Sequence, residues 1–318
     1  MSHLSGPISP ELHAPLRLQS LSLDWLQAAG VEAVVLRLDL VDAELSGNKW
    51  FKLVKHLEAA QRSGAGGLIS LGGAHSNHLH ALAAAGRRFG LKTVGLLRGH
   101  AQDTPTVVDL QTFGMRLHWL GYGGYRARNL PDFWHHWQER YPGYYCVPEG
   151  GGGLLGALGC VDLVGRLGSA LDQVGWHDYD AVWLAAGTGT TLAGIAIGEA
   201  GRHRVFGALA GPPSHAVDSR VAALLTEAGA TETDYHLLDA SRGGFARFDG
   251  ELAGFIQLTE RESGIPLDPI YTAKAMMALR LYVERGYFPS GTRLVFVHTG
   301  GLQGCRAAQA QLERLLDG

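Results

Sequence analysis

Little in this chain invites an extracellular, membrane or nucleic-acid reading. It has only three cysteines, Cys146, Cys160 and Cys305, too few for a disulfide framework and without a C-x-x-C pair. A reducing, cytoplasmic compartment is the expectation. Charged residues make up 18% against a usual ~25%. A formal net charge of −3 gives no global attraction for nucleic acid or anionic lipid, so no nucleic-acid or membrane partner is expected. The uncharged stretch Ala181–Gly198 carries Gly-Thr-Gly-Thr-Thr in its middle, which breaks the apolar continuity a membrane span needs. The first residues, Met1-Ser-His-Leu-Ser-Gly-Pro7, lack the basic-then-apolar order of a signal peptide.

What the chain has instead is glycine and apolar side chains. Hydrophobic residues are 46% of 318, enough for a large core, and 45 residues are glycine, about double the usual ~7%. No collagen period accompanies them, so they belong in turns and in loops where backbone approaches a ligand. Apolar runs alternate with helix-period segments. Strands are expected at 33–38, 67–71, 93–97, 181–185, 205–210 and 293–298, and helices at 49–63, 75–89 and 190–201. This alternation predicts βαβ units and a covered parallel sheet, an α/β fold. Phe133–Trp137 reads as an aromatic-rich helix packed on a neighbour. The Gly150–Gly153 run reads either as a hinge or as another close-approach loop.

Two segments resemble each other. Gly67-Leu-Ile-Ser-Leu-Gly-Gly-Ala-His-Ser-Asn77 and Ala181-Val-Trp-Leu-Ala-Ala-Gly-Thr-Gly-Thr-Thr191 both run from an apolar strand through glycines to hydroxyl or amide side chains at a helix start. Each is a ready anion site, because a helix N-terminus presents free N–H groups and a positive dipole end. Ordinary N-capping by Ser76 and Thr190 is the plainer alternative. The second loop is no dinucleotide fingerprint, since Leu192 stands where the third glycine belongs, and no Walker loop, since no lysine follows. Thr188, Thr190, Thr191 and the loop N–H groups suit one phosphomonoester. Gly187 and Gly189 are expected to be small because the ligand comes close. His75, His78 and His80 crowd one segment without a cysteine or carboxylate to complete a metal site, so no metal is expected.

Ser46-Gly-Asn-Lys49 is the most pointed element. A lysine just inside a helix start lies beside the positive dipole end. Either it snorkels to water, or its amine is held partly neutral for Schiff-base chemistry. A nucleophilic lysine, a phosphate loop and a carboxylate loop together describe pyridoxal 5'-phosphate (PLP) with an amino-acid substrate.

The motifs Ser46–Lys49, Gly72–His78, Gly187–Thr191, Asp268-Pro-Ile-Tyr271 and His298-Thr-Gly-Gly301 resemble the family of 1-aminocyclopropane-1-carboxylate deaminases and D-cysteine desulfhydrases, among the tryptophan-synthase-β-like (fold type II) PLP enzymes. The resemblance runs from about Pro15 to the C-terminus. It implies a two-lobed open twisted parallel-sheet fold, with a large PLP-binding domain of residues 1–51 and 162–318 and a small domain of 52–161, in a homodimer. It implies that Lys49 bonds the cofactor and then acts as base, that Asn77 bonds the cofactor's phenolic oxygen, and that Ser76 faces the substrate. The Ser76–His78 backbone would hold the carboxylate, Gly187–Thr191 the phosphate, and Tyr271 would line the substrate pocket. Thr272 and Thr299 stand where the deaminases have glutamate and leucine, and a second deaminase tyrosine has no counterpart between Gly244 and Gly264. With only neutral hydroxyls for the pyridine nitrogen, the expected activity is α,β-elimination on a small amino acid such as D-cysteine. The alternatives are the cyclopropane deaminase and a PLP-carrying binding protein without turnover. The Arg37-Leu38-Asp39 segment departs from the family's pattern without an evident functional consequence.

Overall fold

The structure, a computed structural model, describes residues 15–317 apart from the side chain of Pro213. The residues read above for a leader lie outside them. Along the chain come β1 (Leu18–Ser20), α1 (Asp24–Ala29), β2 (Glu32–Arg37), α2 (Asn48–Arg62), β3 (Gly67–Gly72), α3 (Asn77–Phe89), β4 (Lys92–Leu97) and α4 (Pro105–Thr112). Next are β5 (Arg116–Trp119), α5 (Gly121–Arg126), α6 (Phe133–Arg140), β6 (Tyr144–Cys146), α7 (Gly153–Gly168), β7 (Ala181–Ala186) and α8 (Thr190–Glu199). The chain ends with β8 (Arg204–Leu209), α9 (Val217–Glu227), β9 (Tyr235–Asp239), α10 (Gly250–Ser263), α11 (Thr272–Glu284), β10 (Arg293–His298) and α12 (Gln309–Asp317). The elements expected from periodicity are present, with ends differing by a residue or two.

The strands form two sheets. One has the order β1-β2-β10-β7-β8-β9, parallel except for the β1 edge; the other has the order β5-β4-β3-β6 and is parallel throughout. The larger sheet is covered on both faces, as its near-continuous apolar strands require. Val34, Leu36, Val182, Leu184, Val295 and Val297 face α2, α7 and α8, whereas Val35, Trp183 and Phe296 face α1, α10 and α11. The aromatic helix packs as expected, with Trp137 buried against Ile69 and Val94 of the smaller sheet. No helix among the described residues is long and apolar enough to cross a membrane.

The glycine run at 150–153 is a close-approach loop. Gly150, Gly151 and Gly153 all have φ near +70°, and a Cβ on Gly151 would lie 3.2 Å from Lys52 Cβ and 3.4 Å from His78 Nδ1. Gly153 also opens the 16-residue helix α7, despite the cost of glycine inside helices. Packing offsets that cost, because glycines let α7 lie backbone to backbone against its neighbours. A Cβ on Gly159 would sit 2.1 Å from Phe51 O of α2, and one on Gly194 of α8 would sit 2.3 Å from Ala157 O.

This contact sets the spacing of three helices, all of which begin at the site described below. Gly194→Ala is expected to lower stability by about 1–3 kcal/mol through overpacking. A thermal melt of the variant checks this; an unchanged midpoint would show that the helices have room to spare.

Candidate active site

Parallel sheets bind ligands beyond the carboxyl ends of their strands, and here the ends of β2, β7 and β10 converge with that of β3. After β2 the chain reaches Gly47, whose φ of +71° and whose contact with β10 both require glycine: a Cβ there would sit 2.2 Å from Thr299 O. Asn48 N donates to the same carbonyl at 3.0 Å, which fixes the start of α2 against the end of β10. Asn48 Nδ2 donates to Thr191 Oγ1 at 2.9 Å, and its Oδ1 accepts from Lys49 Nζ at 2.8 Å. Burial, aided by the nearby Lys52 cation, brings the Lys49 amine down from the ordinary lysine range to about 7. Lys49 therefore does not snorkel away, and a large share of its amine is neutral and nucleophilic near neutral pH.

Lys52, one turn along α2, is 4% exposed and has no carboxylate partner among the described residues. Its Nζ makes two long contacts, to Thr188 Oγ1 and Gly150 O, each at 3.4 Å. A buried ammonium so poorly matched calls for an anion. Thr188 belongs to the expected phosphate loop, and its hydroxyl lies 3.1 Å from Thr190 Oγ1. The N–H groups that open α8 have no intrahelical acceptors. Loop, helix start and unpaired lysine together fit the PLP phosphate. At Gly187 a Cβ would lie 3.0 Å from the Tyr271 ring, so the glycine makes room for that side chain. At Gly189 φ is +84° and a Cβ would meet Val221 and Val217 of α9 at 2.6 and 3.0 Å, so the requirement is packing behind the loop rather than room for a ligand.

On the other side, Ser76 caps α3: its Oγ accepts from Leu79 N at 3.1 Å, and its hydroxyl proton stays available. Asn77 and His78 occupy the first helical positions, with free N–H groups for a carboxylate. The three histidines diverge. His75 is exposed, and buried His80 Nε2 lies 3.2 Å from Asp109 Oδ2. Buried His78 Nε2 lies 2.8 Å from Ser70 Oγ, which itself donates to Val147 O. Nε2 must then carry the proton, leaving His78 Nδ1 as a buried acceptor without a partner.

The floor comes from the loop before α11 and the end of β10. Buried Asp268 accepts from the Ile270, Tyr271 and Thr272 backbone N–H groups and, at 2.6 Å, from Thr272 Oγ1. Thr272 is fully enclosed at 0% exposure, and its hydroxyl also accepts from Asp268 N, so it has nothing left for a pyridine nitrogen. The two threonines are thus unequal, because no hydrogen bond engages the Thr299 hydroxyl among the described residues. Tyr271 packs edge-on against Phe245, ring centres 5.8 Å apart, and burial pushes its phenol upward so that it stays protonated. Arg37 and Asp39 do have a role. Asp39 is held bidentately by Arg37 and lies 3.3 Å from Nδ1 of fully buried His298, under the residue preceding Thr299.

Sequence reasoning passed over Lys52, Asp268 and the Asn48 side chain as site residues. Lys52 was findable as a lysine i+3 from Lys49 on one helix face; Asp268 stood in the Asp268–Tyr271 motif without a role of its own, and only the fold brings Thr191 to Asn48. Lys52→Met is expected to weaken PLP binding to the apoprotein about ten- to a hundredfold, the ~1.5–3 kcal/mol of a charged hydrogen bond. Because the removed cation holds Lys49 down, the pH at half-maximal cofactor capture should rise. Titrating apoprotein with PLP across pH checks both, and an unmoved midpoint would uncouple the two amines.

The chain matches the family described as "Pyridoxal-phosphate dependent enzyme" over residues 11–300. A Pyrococcus horikoshii protein provisionally named a 1-aminocyclopropane-1-carboxylate deaminase is 29% identical over 292 residues, 86% of each chain. A Yersinia pestis protein named D-cysteine desulfhydrase is 29% identical over 309 residues, 90% of this chain and 91% of that one. Among solved structures, one described as an ACC deaminase homologue superimposes with a TM-score of 0.83 at 26% identity, covering 96% of this chain and 95% of its own. With two lysines and a glycine–threonine loop already gathered at the strand ends, the family match over residues 11–300 settles the kinship: the chain belongs to the family of pyridoxal-phosphate-dependent enzymes.

Proposed function

We propose that the protein is a lyase performing α,β-elimination on D-cysteine or a β-substituted relative, with an α-keto acid, ammonia and the leaving thiol as products. The observation that carries this reading is the pocket wall, where Tyr271 is partnered by Phe245, a ring without a hydroxyl. A single phenol suffices to assist a thiolate, already a good leaving group. The likeness to the Yersinia pestis protein named D-cysteine desulfhydrase supports the same choice.

Bound at this site, PLP would supply an aldehyde for the substrate amine and a conjugated ring as electron sink for the α-carbon. Gly187, Thr188, Gly189, Thr190 and Thr191, with Lys52, hold its phosphate, and Asn77 Nδ2 donates to its phenolic oxygen. The Thr299 hydroxyl serves the pyridine nitrogen, with Thr272 behind as the anchor of Asp268. The Ser76 hydroxyl and the N–H groups of Asn77 and His78 hold the substrate carboxylate. Lys49 Nζ, oriented by Asn48 Oδ1, takes the α-proton. The Tyr271 phenol donates a hydrogen bond to the departing sulfur as the Cβ–S bond breaks and its electron pair leaves on the thiolate.

A second reading, cyclopropane ring opening, is favoured by Asp268, whose carboxylate lies one hydrogen bond behind Thr272. It brings a negative charge near the ring, which the hydroxyls alone would not. The lobes 1–51 with 162–318, and 52–161, would close on the cofactor in a cytoplasmic homodimer. The crossings at 51/52 and 161/162 fall inside α2 and α7. Three unpaired cysteines are consistent with the compartment.

Purified protein is expected to be yellow, and borohydride followed by peptide mapping should mark Lys49; a mark on Lys52 would reassign the base. Keto-acid release from D-cysteine or β-chloro-D-alanine should exceed that from 1-aminocyclopropane-1-carboxylate at least tenfold, ~1.4 kcal/mol of transition-state preference. Equal or faster ring opening would make the protein a deaminase, and no release from a panel of D- and L-amino acids would make it a carrier.

A further inference from the structure

The Asn77 side chain is held by a residue from the turn that follows β10. Gln303 lies on the 3₁₀ turn Leu302–Ala307 that follows β10, and its Nε2 donates to Asn77 Oδ1 at 2.9 Å. No other hydrogen bond engages the Asn77 amide among the described residues. A carboxamide has one accepting and one donating end; with Oδ1 occupied, Nδ2 is the end left over. The turn is shaped around this amide, since a Cβ on Gly301 would lie 2.9 Å from Nδ2 and one on Gly304 would lie 3.1 Å from Oδ1. The turn is also tethered. Arg306 Nε donates to Gln303 O at 3.0 Å, and its guanidinium pairs with Asp109 of α4, which in turn meets His80 of α3.

We propose that Gln303 is a positioning residue that locks the Asn77 amide with Nδ2 toward the cofactor's phenolic oxygen. This rests on the placement of Asn77 argued above. An ionised phenolic oxygen only accepts hydrogen bonds, so an amide free to turn over would also present Oδ1, acceptor against acceptor. By supplying the donor that Oδ1 needs, Gln303 removes that second orientation. The contact spans the two sheets, so the cofactor's electronic state is coupled to the docking of the post-β10 turn on α3.

Two variants of the holoenzyme separate orientation from mere packing. The carboxylate of Gln303→Glu only accepts, so Asn77 must turn Nδ2 toward it and offer Oδ1 to the cofactor. Gln303→Met neither donates nor accepts and leaves the amide free. In absorption spectra at neutral pH, Q303E should lose most of the yellow band in favour of the near-ultraviolet band of the un-ionised phenol. Its dissociation constant for PLP, measured by adding PLP to apoprotein, should rise about tenfold or more. Q303M should fall between Q303E and the wild type on both readouts. Variants that match each other, or a Q303M indistinguishable from the wild type, would overturn the proposal, and the latter comparison decides alone if Q303E does not fold. A yellow wild type with Lys49 labelled confines such a failure to Gln303; a colourless wild type overturns the site reading and this inference together.

Discussion

Two amines stand one turn apart on a single helix, Lys52 buried and Lys49 half-buried. Lys49 leans on the neutral Asn48 amide, and Lys52 has only long contacts with a hydroxyl and a carbonyl. Burying a cation without a counter-charge costs several kcal/mol, so this arrangement is tolerable only where an anion arrives to complete it. The consequences spread outward from there. The Thr188 hydroxyl of the loop that opens α8 lies beside Lys52, and the field of Lys52 helps to hold Lys49 near neutrality, where an amine is both nucleophile and base.

Bringing these groups together depends on closeness that side chains would forbid. Gly47 lets the start of α2 touch the end of β10, while Gly159 and Gly194 bring α2, α7 and α8 into backbone contact. Gly189 shows the same economy from behind, where its lack of a Cβ makes room for α9 rather than for a ligand. Part of the glycine excess is therefore a packing device around one crevice, and another part serves turns at positive φ such as Gly64 and Gly264.

The floor modifies the electrostatic argument about substrate. Thr272 is a hydroxyl in sequence, but in space it is the outer member of an Asp268 anchor, and its proton is already given to a carboxylate. Thr299 is left as the free hydroxyl, on a strand end supported by buried His298, Asp39 and Arg37. The site thus sets the Asp268 carboxylate one hydrogen bond behind Thr272 and leaves the Thr299 hydroxyl unengaged among the described residues.

The sequence by itself determined the strand–helix alternation, the two strand–glycine–helix loops, the lysine set against its own helix dipole and the resemblance carried by five short motifs. All of these are local: a period, a glycine beside a hydroxyl, a charge at the wrong end of a helix. It could not show that α7 is a helix, because five glycines argue against one until α2 and α8 are packed against it. Nor could it separate Thr272 from Thr299, identify Lys52 as a buried lysine without a carboxylate partner among the described residues, or pair Gln303 with Asn77 across 226 positions of chain. Those facts are distances between residues far apart in sequence, and burial decides their energy. Only the tertiary structure, which sets both, could supply them.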